Sequence, residues 1–281
     1  MSFLDRIREC NDHDLSGFVP FEVAGARVGW VRRGFADLLR PFDDVFALDD
    51  GRIALKGDLA DYDQRSHAVD AVLRQLAGRG HIPGWRDECY PVGTGFAEAP
   101  LFQMERAAVP RFGVRAYGVH INGYVRDRDG LHMWIARRAD DKPTYPGMLD
   151  NVIAGGQPVG LGLLENVIKE AGEEAGVPVD IARTARPVGA ISYVHEARDG
   201  LKPDVMFVFD LEFPASFTPV NTDGETAEFT LLPVAEVMEI TRATRDFKFN
   251  CALVNIDFFV RHGVLAPDHP DYVEIQRGLH R

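Results

Sequence analysis

The stretch from Gly155 to Val177 constrains this chain more than any other. Gly155 and Gly156 end a short apolar run, a loop with Pro158, Gly160 and Gly162 follows, and residues 163–175 then read as a helix. Gly176 supplies the left-handed stop and Pro178 bars continuation. At about 100° per residue, Glu173 lies at roughly −60° and Glu174 at roughly +40° from Glu170. The apolar Leu164, Ile168, Ala171 and Ala175 fall roughly between +100° and +160° on the same wheel. Such a helix packs along one stripe and displays three carboxylates on another. The display has a local cost, because Glu170 and Glu174 are like charges at i,i+4, about a few tenths of a kcal/mol. They also sit in the half of the helix where the macrodipole disfavours anions. Glu165 and Lys169 offer a favourable i,i+4 pair beside them. A bare acidic face also occurs as plain solvated surface. Three clustered acids beside a strand end without bulky side chains fit better with a cation, and hard oxygen ligands suit Mg²⁺ or Mn²⁺.

Around this helix the second half of the chain alternates strand and helix patterns. Strands are expected at 116–125, 131–137, 150–154, 188–194, 205–212 and 228–232, with a closing helix at 253–262. That order predicts an α/β (α+β) arrangement, a mixed sheet packed between helices. The first half differs. Short β runs at 18–23, 26–31, 45–48 and 52–55 surround a helical stretch at 35–39. A helix at 66–77 follows, with Ser66 as N-cap. Residues 81–110 carry four prolines and read as irregular. The boundary is therefore placed near residue 110, giving a smaller α+β unit over 1–110 and a second unit over 111–281.

With 281 residues, 46% of them hydrophobic, the chain can bury two modest cores. Its net charge of −12 disfavours nucleic acid but leaves small anions accessible, since a bound cation reverses the sign locally. Residues 1–14 lack the apolar core of a signal peptide, and no run is long enough for a membrane span. Cys10, Cys89 and Cys251 are far apart and never form CxxC, which argues for free thiols in a cytoplasmic protein. Gly160-Leu-Gly162 lacks the third glycine of a dinucleotide fingerprint, and no Walker A, HExxH or GxSxG sequence occurs.

The segment resembles a Nudix box, whose pattern is Gly, five residues, Glu, seven residues, then Arg-Glu-apolar-x-Glu-Glu-x-Gly-apolar. Gly155, Glu170, Ala171, Glu173, Glu174, Gly176 and Val177 match in register, while Leu161 replaces the first Glu and Lys169 the Arg. Lysine keeps the charge and loses the bidentate fork. The likeness extends to Phe112 through Tyr124, Trp134 to Arg138, Pro146-Gly147 and Asn250-Cys-Ala-Leu. Trp85-Arg86-Asp-Glu-Cys-Tyr and Glu105-Arg-Ala-Ala are similar to the N-terminal extension of one Nudix subfamily. The resemblance implies a Nudix fold behind a smaller α+β domain and Mg²⁺-dependent cleavage of a diphosphate. Fungal relatives of that subfamily are fused to thiamine pyrophosphokinase, and plant relatives are implicated in removing oxidised thiamine diphosphate. Thiamine diphosphate or its oxidised analogues is thus the expected substrate, with ADP-ribose or another nucleoside diphosphate derivative as the alternative. A non-catalytic ligand sensor stands as the reading from another class, opposed by retention of the three glutamates.

Diphosphate hydrolysis needs neutralised phosphoryl oxygens, an oriented water and a base. Glu170, Glu173 and Glu174 are expected to hold the metal, with Lys169 beside them. A further acid is expected from the loop at Asp223-Gly-Glu225-Thr-Ala-Glu228, where Glu225 and Glu228 are equally eligible. Gly155, Gly156, Arg138 and Lys142 are expected at the diphosphate. His120, Asn122, Trp134 and Tyr193 are candidates for holding a heteroaromatic group, although strand aromatics are usually core. The N-terminal unit has two open roles, shaping the pocket or making a homodimer.

Overall fold

The computed structural model describes residues 1–49, 51–142 and 144–280. The first part contains α1 (Phe3–Glu9), β1 (Phe18–Val23), β2 (Ala26–Arg32), α2 (Arg33–Leu39), β3 (Phe46–Leu48), β4 (Ile53–Leu55), α3 (Tyr62–Gly78), β5 (Cys89–Val92), β6 (Phe102–Glu105) and α4 (Val109–Phe112). Its sheet runs β2-β1-β4-β3, and β5 and β6 form a separate antiparallel hairpin. Phe21, Phe46, Phe102 and Phe112 sit at the centre of an apolar cluster that spans Val19 to Val114.

Two expectations change here. Helix α3 starts at Tyr62 with Asp61 as its cap, whose carboxylate accepts the Gln64 N–H at 2.8 Å. Ser66 lies inside the helix, donating to the Tyr62 carbonyl at 2.7 Å and accepting the Gln103 N–H at 3.1 Å. The stretch read as irregular holds β5 and β6, with Pro91 at a strand position and Pro100 in the connecting loop.

The second part contains β7 (Tyr117–Asp127), β8 (Gly130–Arg138), β9 (Leu149–Asn151), β10 (Ile153–Gly156), α5 (Leu163–Ala175), α6 (Val179–Ala182), β11 (Arg186–Ser192), β12 (His195–Ala197), β13 (Gly200–Lys202), β14 (Val205–Glu212), β15 (Thr226–Pro233), α7 (Val234–Ala243), α8 (Phe249–Arg261) and α9 (Tyr272–Leu279). The sheet order is β11-β14-β7-β8-β15, with β14 parallel to β7 and the other pairs antiparallel. Beyond Tyr124, β7 pairs with β8; before it, the two strands part. The segment 149–156 fills that gap, β9 pairing with β8 and β10 with β7.

Alternation along the strands sorts the two faces. Val119, Ile121, Phe209 and Leu211 pack under Val167, Ala171 and Ala175 of α5. Tyr124, Met206 and Val208 pack on the other face, among the buried residues of α7, α8 and α9. The sheet is therefore mixed and lies between helical layers, as its sequence pattern predicts. Helix α1 joins this second core: Phe3, Ile7 and Cys10 are buried with Phe259, Ile275 and Leu279. No helix among the described residues is long and apolar enough to cross a membrane.

Candidate active site

The Glu165 carboxylate accepts the Gly162 N–H at 2.9 Å and so caps α5. The pair expected between Glu165 and Lys169 is replaced by two others. Lys169 Nζ reaches Glu170 Oε1 at 3.0 Å and Glu173 Oε2 at 2.8 Å, holding two of the three acids. The loop before the helix is pinned by Asn166, which donates to the Gly156 carbonyl at 2.7 Å and to Gln157 Oε1 at 3.0 Å.

Glu170 lies directly on Gly155, and any side chain at that position would overlap its carboxyl group. Glu174 Oε2 accepts the Ala154 N–H at 2.8 Å. The last turn of β10 and the acidic arc of α5 are thus one assembly. Burial raises the Glu170 carboxyl above its ordinary range against the pull of Lys169. Burial raises Glu174 much further; the Ala154 N–H opposes this, and Glu170, Asp150 and Asp223 add to it. Among the described residues Glu174 makes no salt bridge, Lys248 acting on it only at longer range.

A narrow cleft beside Glu174 is lined by Arg138, Asp150 and Glu225. Glu225 is bound to Lys142, which outweighs burial and holds the carboxyl below its ordinary range. Glu228 is exposed and faces Arg137 at 3.9 Å, away from this cleft. Between them a bulge in β15 shifts the register, so spacing alone does not separate the two. Arg138 is committed to structure. It donates to Asp150 Oδ2 at 2.9 Å and to the carbonyls of Tyr145 and Thr144 at 2.9 and 2.8 Å.

Next to Gly155 and Gly156 opens a cavity of about 240 Å³. Of the four candidates for holding a heteroaromatic group, His120 and Tyr193 line it. Asn122 and Trp134 do not. Asn122 donates to Asp210 at 3.1 Å, in a buried group with Arg261 and His262. Trp134 is 8% exposed and packs in the core beneath α5. Alternation turns Trp134 to the α5 face, whereas Asn122 shares the face of His120 and lies one residue pair further along β7, past the end where β10 lines the cavity.

Several lining residues escaped the sequence reading: Tyr90, Arg106, Lys202, Asp204 and Lys248. Tyr90 and Arg106 lie inside the two quoted N-terminal motifs and Lys248 just before Asn250-Cys-Ala-Leu, but nothing local signals Asp204. Tyr193 donates its hydroxyl to Asp204 Oδ2 at 3.0 Å, and burial still pushes that carboxyl up to about 6.

His120, Asp150 and Cys251 bring their ligand atoms within 4.8 Å of one another, a cluster the separated cysteines did not foretell. The Cys251 thiol, raised by burial, donates to Asp150 Oδ1 at 2.7 Å. Arg138 at 2.9 Å and Lys248 at 3.6 Å already balance that carboxylate. A divalent cation there would face two fixed positive charges, so the cluster suits a polar core better than a metal.

A family model described as a domain of unknown function, DUF4743, matches residues 2–116. Nudix hydrolase 24 of Arabidopsis thaliana, named as chloroplastic, is 42% identical over 99% of this chain and 77% of its own length. Nudix hydrolase 20 of the same plant, also named as chloroplastic, is 42% identical over the same shares. An uncharacterized protein of Saccharomyces cerevisiae is 34% identical over 85% of this chain and 75% of its own. The two plant relatives match over nearly the whole chain, and the chain belongs to the Nudix hydrolases, enzymes that cleave diphosphate bonds.

Proposed function

We propose that this hydrolase cleaves thiamine diphosphate or an oxidised analogue to the monophosphate and phosphate, with Mg²⁺, or Mn²⁺ in its place, held by Glu170, Glu173 and Glu174. The observation that carries the metal reading is Glu174, a partly buried carboxylate that accepts a backbone N–H but makes no salt bridge among the described residues. An all-oxygen set of three carboxylates on one helix arc fits a hard divalent ion. When bound, the ion neutralises phosphoryl oxygens and acidifies a water. Lys169 keeps Glu170 and Glu173 aimed alongside Glu174. Gly155 leaves room for the Glu170 carboxyl at the cavity edge. Glu225 is the acid we assign as base or additional ligand, because it shares the narrow cleft with Glu174.

The cavity supports the thiamine reading over a nucleotide one. Tyr90, Tyr117, Tyr145, Tyr193 and Phe249 give it aromatic walls. Asp204, ionised above about pH 6, offers a counter-charge for a cationic ring such as thiazolium. His120 stays neutral there, since burial and Lys248 hold its pKa down to about 4.

The test is Mg²⁺-dependent phosphate release from thiamine diphosphate, its oxo-analogue, ADP-ribose and a nucleotide sugar, the last two coupled to a phosphatase. Glu174→Gln should reduce kcat by at least about 10³-fold, in the range of losing a main transition-state contact. Asp204→Asn should erase the preference for thiamine compounds and spare turnover of ADP-ribose. Turnover of the nucleotide compounds alone would discard the thiamine reading and keep the hydrolase.

A further inference from the structure

The hairpin of β5 and β6 does more than complete the N-terminal core. The Cys89 carbonyl accepts the Val159 N–H at 3.1 Å, so β5 is hydrogen-bonded to the loop that leads into α5. The Tyr90 hydroxyl rests on the Gly156 backbone, where even a methyl group would overlap it. The chain leaving β6 then sets Arg106 at the cavity wall. Its guanidinium carbon lies 5.6 Å from the Tyr90 ring centroid, and Nη1 donates to Glu88 at 2.8 Å. Among the described residues Nε and Nη2 have no hydrogen-bond partner. The side chain is 47% exposed and lines the cavity.

Charge supports the placement. Burial lowers the Arg106 pKa, and the Tyr90 hydroxyl, Glu88 and Glu170 outweigh it. Arg106 and Arg86 in turn help to keep Glu225 ionised. A cation of the N-terminal unit therefore lies within electrostatic reach of acids on both sides of the hydrolase site. A guanidinium with free donors, fixed by a ring beneath it and a carboxylate beside it, is prepared for an oxyanion.

We propose that Arg106 is a phosphate-binding residue of the hydrolase site, so that the N-terminal unit forms one wall of the substrate pocket. Tyr90 is the positioning residue that locks the hairpin onto Gly156. This inference rests on the diphosphate-hydrolase reading and is independent of which diphosphate is cleaved.

The experiment uses the full chain and inorganic pyrophosphate with Mg²⁺. Calorimetry should show pyrophosphate binding at least tenfold weaker in Arg106→Gln. KM for the best substrate of the panel should rise by a similar factor, with kcat changing less. Affinity and KM within twofold of the parent would overturn the proposal. Because that variant could fold poorly, the unaltered protein is also labelled with phenylglyoxal and mapped by mass spectrometry. Saturating pyrophosphate should slow labelling of Arg106 at least fivefold. Unchanged labelling, or no saturable pyrophosphate binding, would overturn it. The calorimetry and the labelling need no turnover, so a failed substrate panel and a failed Arg106 assignment give different results.

Discussion

His120 shows how one buried side chain sets a pH limit on this fold. Burial first, and Lys248 second, lower its pKa from 6.5 to about 4, although Asp150 and the 2.9 Å contact to Asn151 favour the charged form. The unfolded chain thus takes up the proton before the folded one does. The stabilising contribution is fully present above pH 6.5 and is lost as pH falls towards about 4. In full it amounts to about 3 kcal/mol. Urea unfolding between pH 7 and 4 should therefore lose stability more gently in His120→Gln than in the parent; parallel slopes would reject burial of His120 as the source. At this scale the acidic arc was readable because its three members lie within five residues of one helix. Glu225 and Glu228 were not separable, since a bulge decides which of them turns to the cleft. Asn122 and Trp134 sit on strands whose alternation is visible in sequence, but the split between β7 and β8 that locates the cavity is not.

Two glycines show how differently an element uses the same residue. Gly155 in β10 touches the Glu170 carboxyl, whereas a methyl group on Gly172 in α5 would meet open space. Gly155→Ala should push Glu170 out of line and cut kcat at least about tenfold, given how steeply rate follows small misplacements. Gly172→Ala should leave kcat within twofold and stabilise the helix by about 1 kcal/mol. Kinetics and thermal melts on both variants check the pair. A silent Gly155→Ala would remove the close contact from the account of the site. Element reading succeeded where periodicity was long or glycines framed it, as in α5. It failed for α3's first turn, because Asp61 and Ser66 are both acceptable caps. It failed again for β5 and β6, where prolines hide a hairpin fastened by contacts to α3 and to the loop before α5.

At the scale of the molecule the chain crosses between its two cores more often than the linear order implies. Helix α1 leaves the N-terminal part and packs on α7, α8 and α9. Phe3 meets Phe259 at 6.4 Å between ring centroids, and Ile7 lies against Gly278. Returning in the other direction, the β12–β13 hairpin docks on β2 and α4, and Arg32 bonds to Glu196 at 2.9 Å. The seven residues of this helix gave no sign in sequence that they cover a distant core. The covering apolar contacts are worth a good deal, since truncating a buried Phe to Ala typically costs about 3–5 kcal/mol. Deleting residues 1–14 should accordingly lower the melting midpoint by roughly 6 °C or more, taking about 2–4 °C per kcal/mol for a chain of this order. Pyrophosphate affinity below that midpoint should survive, because the β5–β6 hairpin remains. A chain starting at Arg111 loses α1, Tyr90 and Arg106 together, and both stability and pyrophosphate affinity should fall. A stable 111–281 protein with parental affinity would mean that the N-terminal part is neither clamp nor wall, and that the hydrolase core stands on its own.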